Sequence, residues 1–177
     1  MNTVELTSTE TLGAARAQDL RAWLVDAFDG NFTDEDWAHT IGGVHALIQD
    51  RRGIVSHGAI VARSVLCDGH SLCVGYLEAV ATRPDQRRHG YASRVLRKLG
   101  EIIARDYDIG ALSTSLQAVY APLGWESWHG PSYVQTPHRR VRTADEDGGL
   151  MVLRTPRTPP VNIGGDIVAD WRTGDVW

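Results

Sequence analysis

A chain of 177 residues with 42 % hydrophobic and 23 % charged residues can build one ordinary globular domain around a sizeable core. Its net charge of −4 argues against general nucleic-acid binding, which rests on neutralising phosphates with Lys and Arg. No apolar run approaches the ~18 residues of a membrane span, and no basic segment followed by an apolar stretch opens the sequence. Neither a membrane partner nor a secretory leader is therefore expected, and the cytoplasm is the expected compartment.

In chain order, "TVELTST" reads as an edge strand, followed by a helical stripe over 10–28 carried by Leu12, Ala15, Leu20, Trp23, Leu24, Ala27 and Phe28. "DGNF" breaks it. Thr33 then caps a short helix over 34–39, with Asp36 at its third position completing a variant capping box. Three strand-like runs come next, "VHALIQD", "IVSHGAIVARSVLC" and "SLCVGYLEAVATR", the last two joined by an Asp68-Gly69 hairpin turn. The helix 88–107 is the best defined, with Ala92, Val95, Leu96, Leu99, Ile102 and Ile103 on one side and charged residues on the other. After it, "IGALSTS" reads as a strand, "LQAVYAPLG" as a short helix ending at Gly124, and "WESWHG" and "GLMVLRT" as late strands. The tail 156–177 is too rich in apolar and aromatic residues to be disposable, and is expected to pack back on the domain. This order of elements gives an α/β (α+β) domain spanning 1–177.

Two cysteines without a secretory signal, Cys67 and Cys73, are expected to be reduced, and no spacing typical of a metal site occurs, so no metal is expected. Charge is unevenly distributed. Positive residues concentrate at 83–105 and in "HRRVR", negative ones in "DEDW", "ADEDGG" and "GDVW", as though the chain held one anionic and one cationic ligand.

The stretch "RPDQRRHGYASRVLRKLG" places Arg87, Arg88, His89 and Gly90 at the mouth of the long helix, followed by Tyr91 and the small Ala92. A first helical turn presents amide N–H groups without intrahelical partners and the positive end of the macrodipole, and glycine lets an oxyanion approach the backbone. On pattern alone the stretch reads equally as a basic helix N-terminus that closes a loop. It is neither GxGxxG nor GxxxxGK[ST], which weakens dinucleotide and NTPase readings.

The Arg87-x-x-Gly90-x-Ala92 pattern resembles the acyl-CoA signature of the GCN5-related N-acetyltransferase superfamily. The segments "FDGNFTDEDWAHTIGGVHAL", "GYLEAVAT", "GALSTS", "GWESWHGP" and "DWRTGDVW" resemble those of the aminoglycoside 2′-N-acetyltransferases, over nearly the whole chain. The resemblance implies a central mixed, mostly antiparallel sheet flanked by helices and splayed at the acetyl-CoA site. It also implies acetyl-CoA as cosubstrate, a homodimer, and a C-terminal tail completing the substrate cleft.

Carried over residue by residue, it makes Val80, Ala81 and Thr82 the backbone contacts to the pantetheine arm, and Arg87, Arg88, His89, Gly90, Tyr91 and Ala92 the pyrophosphate clamp. The substrate contacts become Asn31, Asp36, Glu78, Ala79, Ser113, Asp145, Glu146, Asp175 and Trp177. Catalysis falls to Glu78 as base, the Val80 N–H as donor to the thioester oxygen, and Tyr120 as the acid for the departing sulfur, with an ordinary phenol value near 10 suited to that role. Trp23, Trp37, Trp125, Trp128 and Trp171 read as core or cleft wall, and His39 and His45 as structural hydrogen-bonding histidines. Two positions depart from the family. Asn31 stands where an aspartate is usual, and Glu146 where Asp is typical. A lost charge at Asn31 weakens capture of one ammonium, which makes kasugamycin, an aminoglycoside without the deoxystreptamine ring, an alternative substrate. Two further readings stay open: an acetyltransferase of this fold acting on a polyamine or protein lysine, and a non-catalytic acyl-CoA-binding sensor.

Overall fold

The computed structural model describes residues 3–177. Its strands are β1 (Glu5–Ser8), β2 (Val44–Asp50), β3 (Gly53–Cys67), β4 (His70–Thr82), β5 (Ile109–Ser113), β6 (Glu126–Ser127), β7 (Ser132–Gln135), β8 (Arg140–Arg142), β9 (Leu150–Arg154) and β10 (Ile167–Asp170). The helices are α1 (Thr9–Ala27), α2 (Asp34–Thr40), α3 (Tyr91–Asp106) and α4 (Gln117–Tyr120). They form two compact units: the chain up to Val61 with Leu77–Leu99, and Ala62–Tyr76 with Gly100–Trp177.

In the first unit β1 pairs antiparallel with β2 and β2 with β3, with β4 beside β3. One face carries Leu47 against Leu12, Leu20, Leu24 and Phe32 of the helical layer, and Ala79 and Ala81 of β4 pack on that cluster. The opposite face receives α3. A Cβ on Gly58 would lie 3.0 Å from Leu99, 3.2 Å from Val95 and 3.4 Å from Val80, so glycine is what lets the helix sit this close to β3. The α2 cap forms as the sequence implies, with Thr33 Oγ1 accepting from the Asp36 amide at 3.1 Å and Asp36 Oδ2 accepting from the Thr33 amide at 2.8 Å. The first helical stripe is interrupted, because Gly13 takes φ +72° and kinks α1.

In the second unit the strand order is β6-β9-β5-β4-β3-β10-β7-β8. The β4–β5 and β10–β7 ladders are parallel, and β5–β9, β6–β9, β10–β3 and β7–β8 are antiparallel. Asp68 and Gly69 turn from β3 to β4 with φ +47° and +81°, the left-handed pair that a two-residue hairpin needs. Cys67 is buried, Cys73 is exposed, and both are free thiols. Burial pushes the Cys67 thiol up to about 12, so it stays inert and protonated. Gly130 is a close approach: an added Cβ would meet the Gly165 carbonyl oxygen at 1.8 Å.

The C-terminal segment is fastened by Arg63. Its guanidinium, 5 % exposed, donates to Asp170 Oδ1 at 3.0 Å, to the Asp170 carbonyl at 2.8 Å and to the Val176 carbonyl at 2.6 Å. It also lies over the Tyr76 ring at 4.9 Å, with Arg172 over the same ring at 5.3 Å. Arg63→Met keeps the aliphatic packing and removes every one of these bonds. The expected result is a loss of about 1–3 kcal/mol in chemical denaturation and faster carboxypeptidase trimming of the tail, read by mass spectrometry.

Candidate active site

The first unit holds the strand end and turn that the sequence singles out. From Glu78 to Thr82 every residue of β4 is half-buried, where the preceding run Val74–Leu77 is buried. Among the described residues the β4–β5 ladder covers Val74–Ile109 to Tyr76–Ala111 and ends there, six residues before β4 does. Ala79 adopts φ +50° in mid-strand. For a residue with a Cβ that conformation costs about 1–2 kcal/mol, so neighbouring contacts must hold it. One of them is His57, whose Nδ1 lies 2.8 Å from the Ala79 carbonyl. The Ser56 hydroxyl donates to the Ala81 carbonyl at 3.1 Å and lies 2.9 Å from the Thr82 hydroxyl, fixing the end of β4 against β3.

Arg83 anchors the chain just past β4. Its amide donates to the Val55 carbonyl at 2.8 Å, and its guanidinium meets Asp50 Oδ2 at 2.6 Å and Asp85 Oδ1 at 2.8 Å. Arg52 holds the other oxygen of Asp85 at 2.7 Å. Hydrogen bonds from Arg83 keep both the Asp50 and Asp85 carboxyls below their ordinary range.

Beyond this anchor the chain makes its concave turn. Arg88 and Gly90 both take left-handed conformations, φ +62° and +78°, which explains why α3 starts at Tyr91 and not at 88 as the periodicity implies. Such a turn curls successive amides toward a common point, and the first bond of the helix ladder is Arg94 N–H to the Gly90 carbonyl at 3.1 Å. Nothing lies within 4 Å of where a Gly90 Cβ would stand. Arg87, Arg88, His89 and Gly90 are exposed, Tyr91 and Ala92 half-buried. Arg87 Nε donates to the Thr82 carbonyl at 3.3 Å, and His89 Nδ1 donates to the Arg87 carbonyl at 2.8 Å, so the turn is internally braced. An amide-rich, cationic concavity of this kind fits a pyrophosphate. Asn31, exposed, comes after the turn that ends α1, and Asp36 serves the α2 cap with one of its carboxylate oxygens.

The second unit gathers several of the remaining candidates. Ser113, at the end of β5, donates its hydroxyl to Glu146 Oε2 at 2.9 Å. Glu146 belongs to a short 3-10 turn, Ala144–Glu146, that also displays the exposed Asp145. Trp177 is buried at 6 % exposure, and its indole N–H donates to Thr143 Oγ1 at 3.0 Å, directly before that turn. Asp175 is exposed, and its carbonyl receives Arg172 Nε at 2.7 Å. Ser113, Glu146, Asp145 and Trp177 are thus one cluster, with Asp175 two residues from it. Tyr120 ends α4, 8 % exposed, edge-on to Trp125 with ring centroids 6.2 Å apart. The expected ordinary phenol value is corrected: burial pushes Tyr120 up to about 12, making it a weaker acid that keeps its proton.

The roles of His57, Ser56, Arg83 and Arg63 emerge only in the folded chain. His57 carries a visible signal, an imidazole next to the tightly packed Gly58 in the buried middle of β3, but its partner depends on strand register.

A strand, a left-handed turn and a helix in this order are what a GNAT acetyltransferase fold requires, and comparison with known proteins agrees. A family model described as "Acetyltransferase (GNAT) domain" matches residues 11–128. An aminoglycoside 2′-N-acetyltransferase from Mycolicibacterium fortuitum is 36 % identical over 181 residues, covering 100 % of this chain and 93 % of that protein. The chain therefore belongs to the aminoglycoside 2′-N-acetyltransferase family within the GNAT acetyltransferases. Among solved structures, a GNAT family N-acetyltransferase (YhbS) from Escherichia coli in complex with CoA matches with a TM-score of 0.68 and 16 % identity, over 95 % of this chain and 89 % of that one. A GCN5-related N-acetyltransferase from Kribbella flavida matches at TM-score 0.56 and 20 % identity over 72 % of this chain, which spans 34 % of its length. These likenesses bear out the mixed, mostly antiparallel sheet with flanking helices. Among the described residues no helix is long and apolar enough to cross a membrane.

Proposed function

We propose that this protein transfers the acetyl group of acetyl-CoA to the 2′-amine of an aminoglycoside by direct attack, inactivating the drug. The observation that carries the reading is the full-length kinship to an aminoglycoside 2′-N-acetyltransferase. It is supported by the left-handed Arg88–Gly90 concavity and by the half-exposed edge Glu78–Thr82. Acetyl-CoA supplies an activated acyl carbon and a thiolate leaving group. Arg87, Arg88, His89, Gly90, Tyr91 and Ala92 grip its pyrophosphate, while Val80, Ala81 and Thr82 offer backbone groups to the pantetheine arm.

Glu78 takes the proton that the substrate ammonium must lose before its nitrogen can form the new C–N bond, directly or through one water. The Val80 N–H stabilises the negative charge that builds on the thioester oxygen. Tyr120, holding its proton firmly, donates a hydrogen bond to the sulfur as the C–S bond breaks, and the departing thiolate takes up the second proton, which the nitrogen sheds on becoming an amide. Substrate ammonium and hydroxyl groups are met by Asn31, Asp36, Glu78, Ala79, Ser113, Asp145, Glu146, Asp175 and Trp177, so the tail 156–177 takes part in binding. The neutral Asn31 lowers the demand for one ammonium and favours kasugamycin as a substrate. The same reading makes the active form a homodimer, which sedimentation measures directly.

Thiol release from acetyl-CoA against gentamicin, tobramycin, kasugamycin, spermidine and a lysine peptide tests the reading. Turnover of any of the three antibiotics, with spermidine and peptide inert, is the expected result, and kasugamycin turning over fastest supports the Asn31 argument. Acetylation of spermidine or peptide alone overturns the substrate class, and no thiol release with any amine returns the chain to an acyl-CoA sensor.

A further inference from the structure

Ala79 is held by more than one histidine. His57 Nδ1 lies 2.8 Å from the Ala79 carbonyl, His57 Nε2 lies 3.0 Å from His45 Nδ1, and His45 Nε2 lies 2.9 Å from Thr9 Oγ1. The Gly42 amide donates to the same Thr9 oxygen at 3.1 Å. Both imidazoles are fully buried, at 0 % exposure. Burial keeps them neutral, holding His45 at about 4 and His57, which also feels His45, at about 3.

These contacts fix the direction of every bond. A carbonyl only accepts, so His57 carries its hydrogen on Nδ1, and its bare Nε2 must accept from His45 Nδ1–H. His45 Nε2 is then bare in turn and accepts the Thr9 hydroxyl at 2.9 Å, the closer of that hydroxyl's two acceptors, the Thr40 carbonyl lying at 3.4 Å. The chain runs one way, from Thr9 through His45 and His57 to Ala79, and every ring nitrogen in it is satisfied.

The last acceptor belongs to a particular peptide unit. The Ala79 carbonyl and the Val80 N–H share one planar amide, which is trans like every other peptide bond among the described residues. In a trans amide the C=O and N–H point in opposite directions, so fixing the carbonyl on His57 fixes the N–H to point away from it. Donation to the oxygen also draws electron density from the nitrogen, strengthening that N–H as a donor.

We propose that His57, backed by His45 and Thr9, is a positioning residue that aims and polarises the Val80 N–H at the thioester oxygen. This rests on the reading above in which that N–H stabilises the developing oxyanion. It also gives the left-handed backbone at 79 a role: the peptide there presents its oxygen to His57, whose bond helps hold that conformation.

Two substitutions cut the relay at different points while keeping a polar side chain at the buried position. In His57→Asn the amide nitrogen stands in for Nδ1 and keeps the bond to Ala79. In His57→Gln the amide reaches the Nε2 position, keeping His45 satisfied and leaving Ala79 without its donor. Acetyl-transfer kinetics, CoA affinity by calorimetry and the 15N and amide-proton shifts of Val80 are measured for both in the full chain. The expected result is a kcat roughly 10- to 100-fold lower in His57→Gln, with CoA affinity unchanged and the Val80 signal moved toward a weaker donor. His57→Asn is expected to return both the signal and kcat to within about threefold of the parent. A Val80 signal unmoved in His57→Gln overturns the relay itself. A moved signal with undiminished kcat leaves the relay standing as structure and overturns the oxyanion role of Val80 and, with it, the proposed contribution to catalysis. Equal damage from the two substitutions, with CoA affinity falling in step, reduces His57 to a packing residue and overturns the proposal.

Discussion

Glu78→Gln is expected to lower kcat for amine acetylation by roughly 10²- to 10⁴-fold at neutral pH, the usual contribution of a positioned general base. The substitution preserves size and hydrogen bonding and removes only the ability to accept a proton. Affinity for CoA should therefore stay within about threefold, because the turn proposed to hold the pyrophosphate and the strand edge are untouched. The deficit should also shrink as pH rises, since a growing share of the substrate amine then arrives already deprotonated. Initial rates from pH 6 to 9.5, with CoA affinity measured in parallel, check both points. A fall of less than about fivefold, or a deficit that does not change with pH, would assign the proton to another acceptor.

The second large effect concerns stability in acid. His45 and His57 are held at about 4 and about 3 in the folded chain, against 6.5 for an ordinary imidazole. Below pH 6.5 the unfolded chain therefore binds protons that the folded chain refuses, and the free energy of unfolding falls as pH falls. The stability these rings contribute is complete above about pH 6.5 and is lost from there down to about pH 4 for His45 and about pH 3 for His57. Each contributes a slope approaching 1.4 kcal/mol per pH unit, so the pair removes several kcal/mol from a total that is about 5–15 in ordinary domains. Among the described residues His57 feels only His45 as a charge-bearing neighbour, so no carboxylate rescues the protonated form. The depressed carboxylates Asp50, Asp85, Asp106 and Asp147 sit below 3.8 and act in a more acidic window. Urea midpoints at pH 7.5, 6.0 and 5.0 should fall steadily, and His57→Asn should roughly halve the slope. A midpoint flat down to pH 5 would mean that the rings protonate without cost.

Elements whose signals are local were legible in the sequence. The apolar stripe of α3, the Thr33–Asp36 capping box and the left-handed Asp68-Gly69 turn each depend on residues within four positions of one another. Strands β7 and β8 were not legible, because "SYVQ" is too short to show a period and "HRRVR" reads as a concentration of positive charge. In the fold, Arg140 and Arg142 lie over the Tyr133 ring at 5.6 and 5.3 Å, and their carboxylate partners are Asp166 and Asp147. The turn before α3 was readable from Gly90, whereas the left-handed Arg88 that shortens α3 was not, since arginine carries no mark of that conformation. The relay was hidden for a different reason. His45, His57 and Ala79 meet only through the register of β2 on β3 and the placement of β4 beside them, with Leu47 rather than His45 directly opposite His57. No spacing in one chain encodes that pairing.

One pair of substrates isolates acetyl transfer to a 2′-amine from transfer to any other position. Tobramycin carries an amine at the 2′ position where kanamycin A carries a hydroxyl, so the reacting position separates them while other amines remain available on both. Thiol release from acetyl-CoA, with the product's acetyl position read by NMR, should show turnover of tobramycin with a single 2′-acetamide and no turnover of kanamycin A. Acetylation of both drugs, or a tobramycin product modified at any other amine, would contradict 2′-specific transfer.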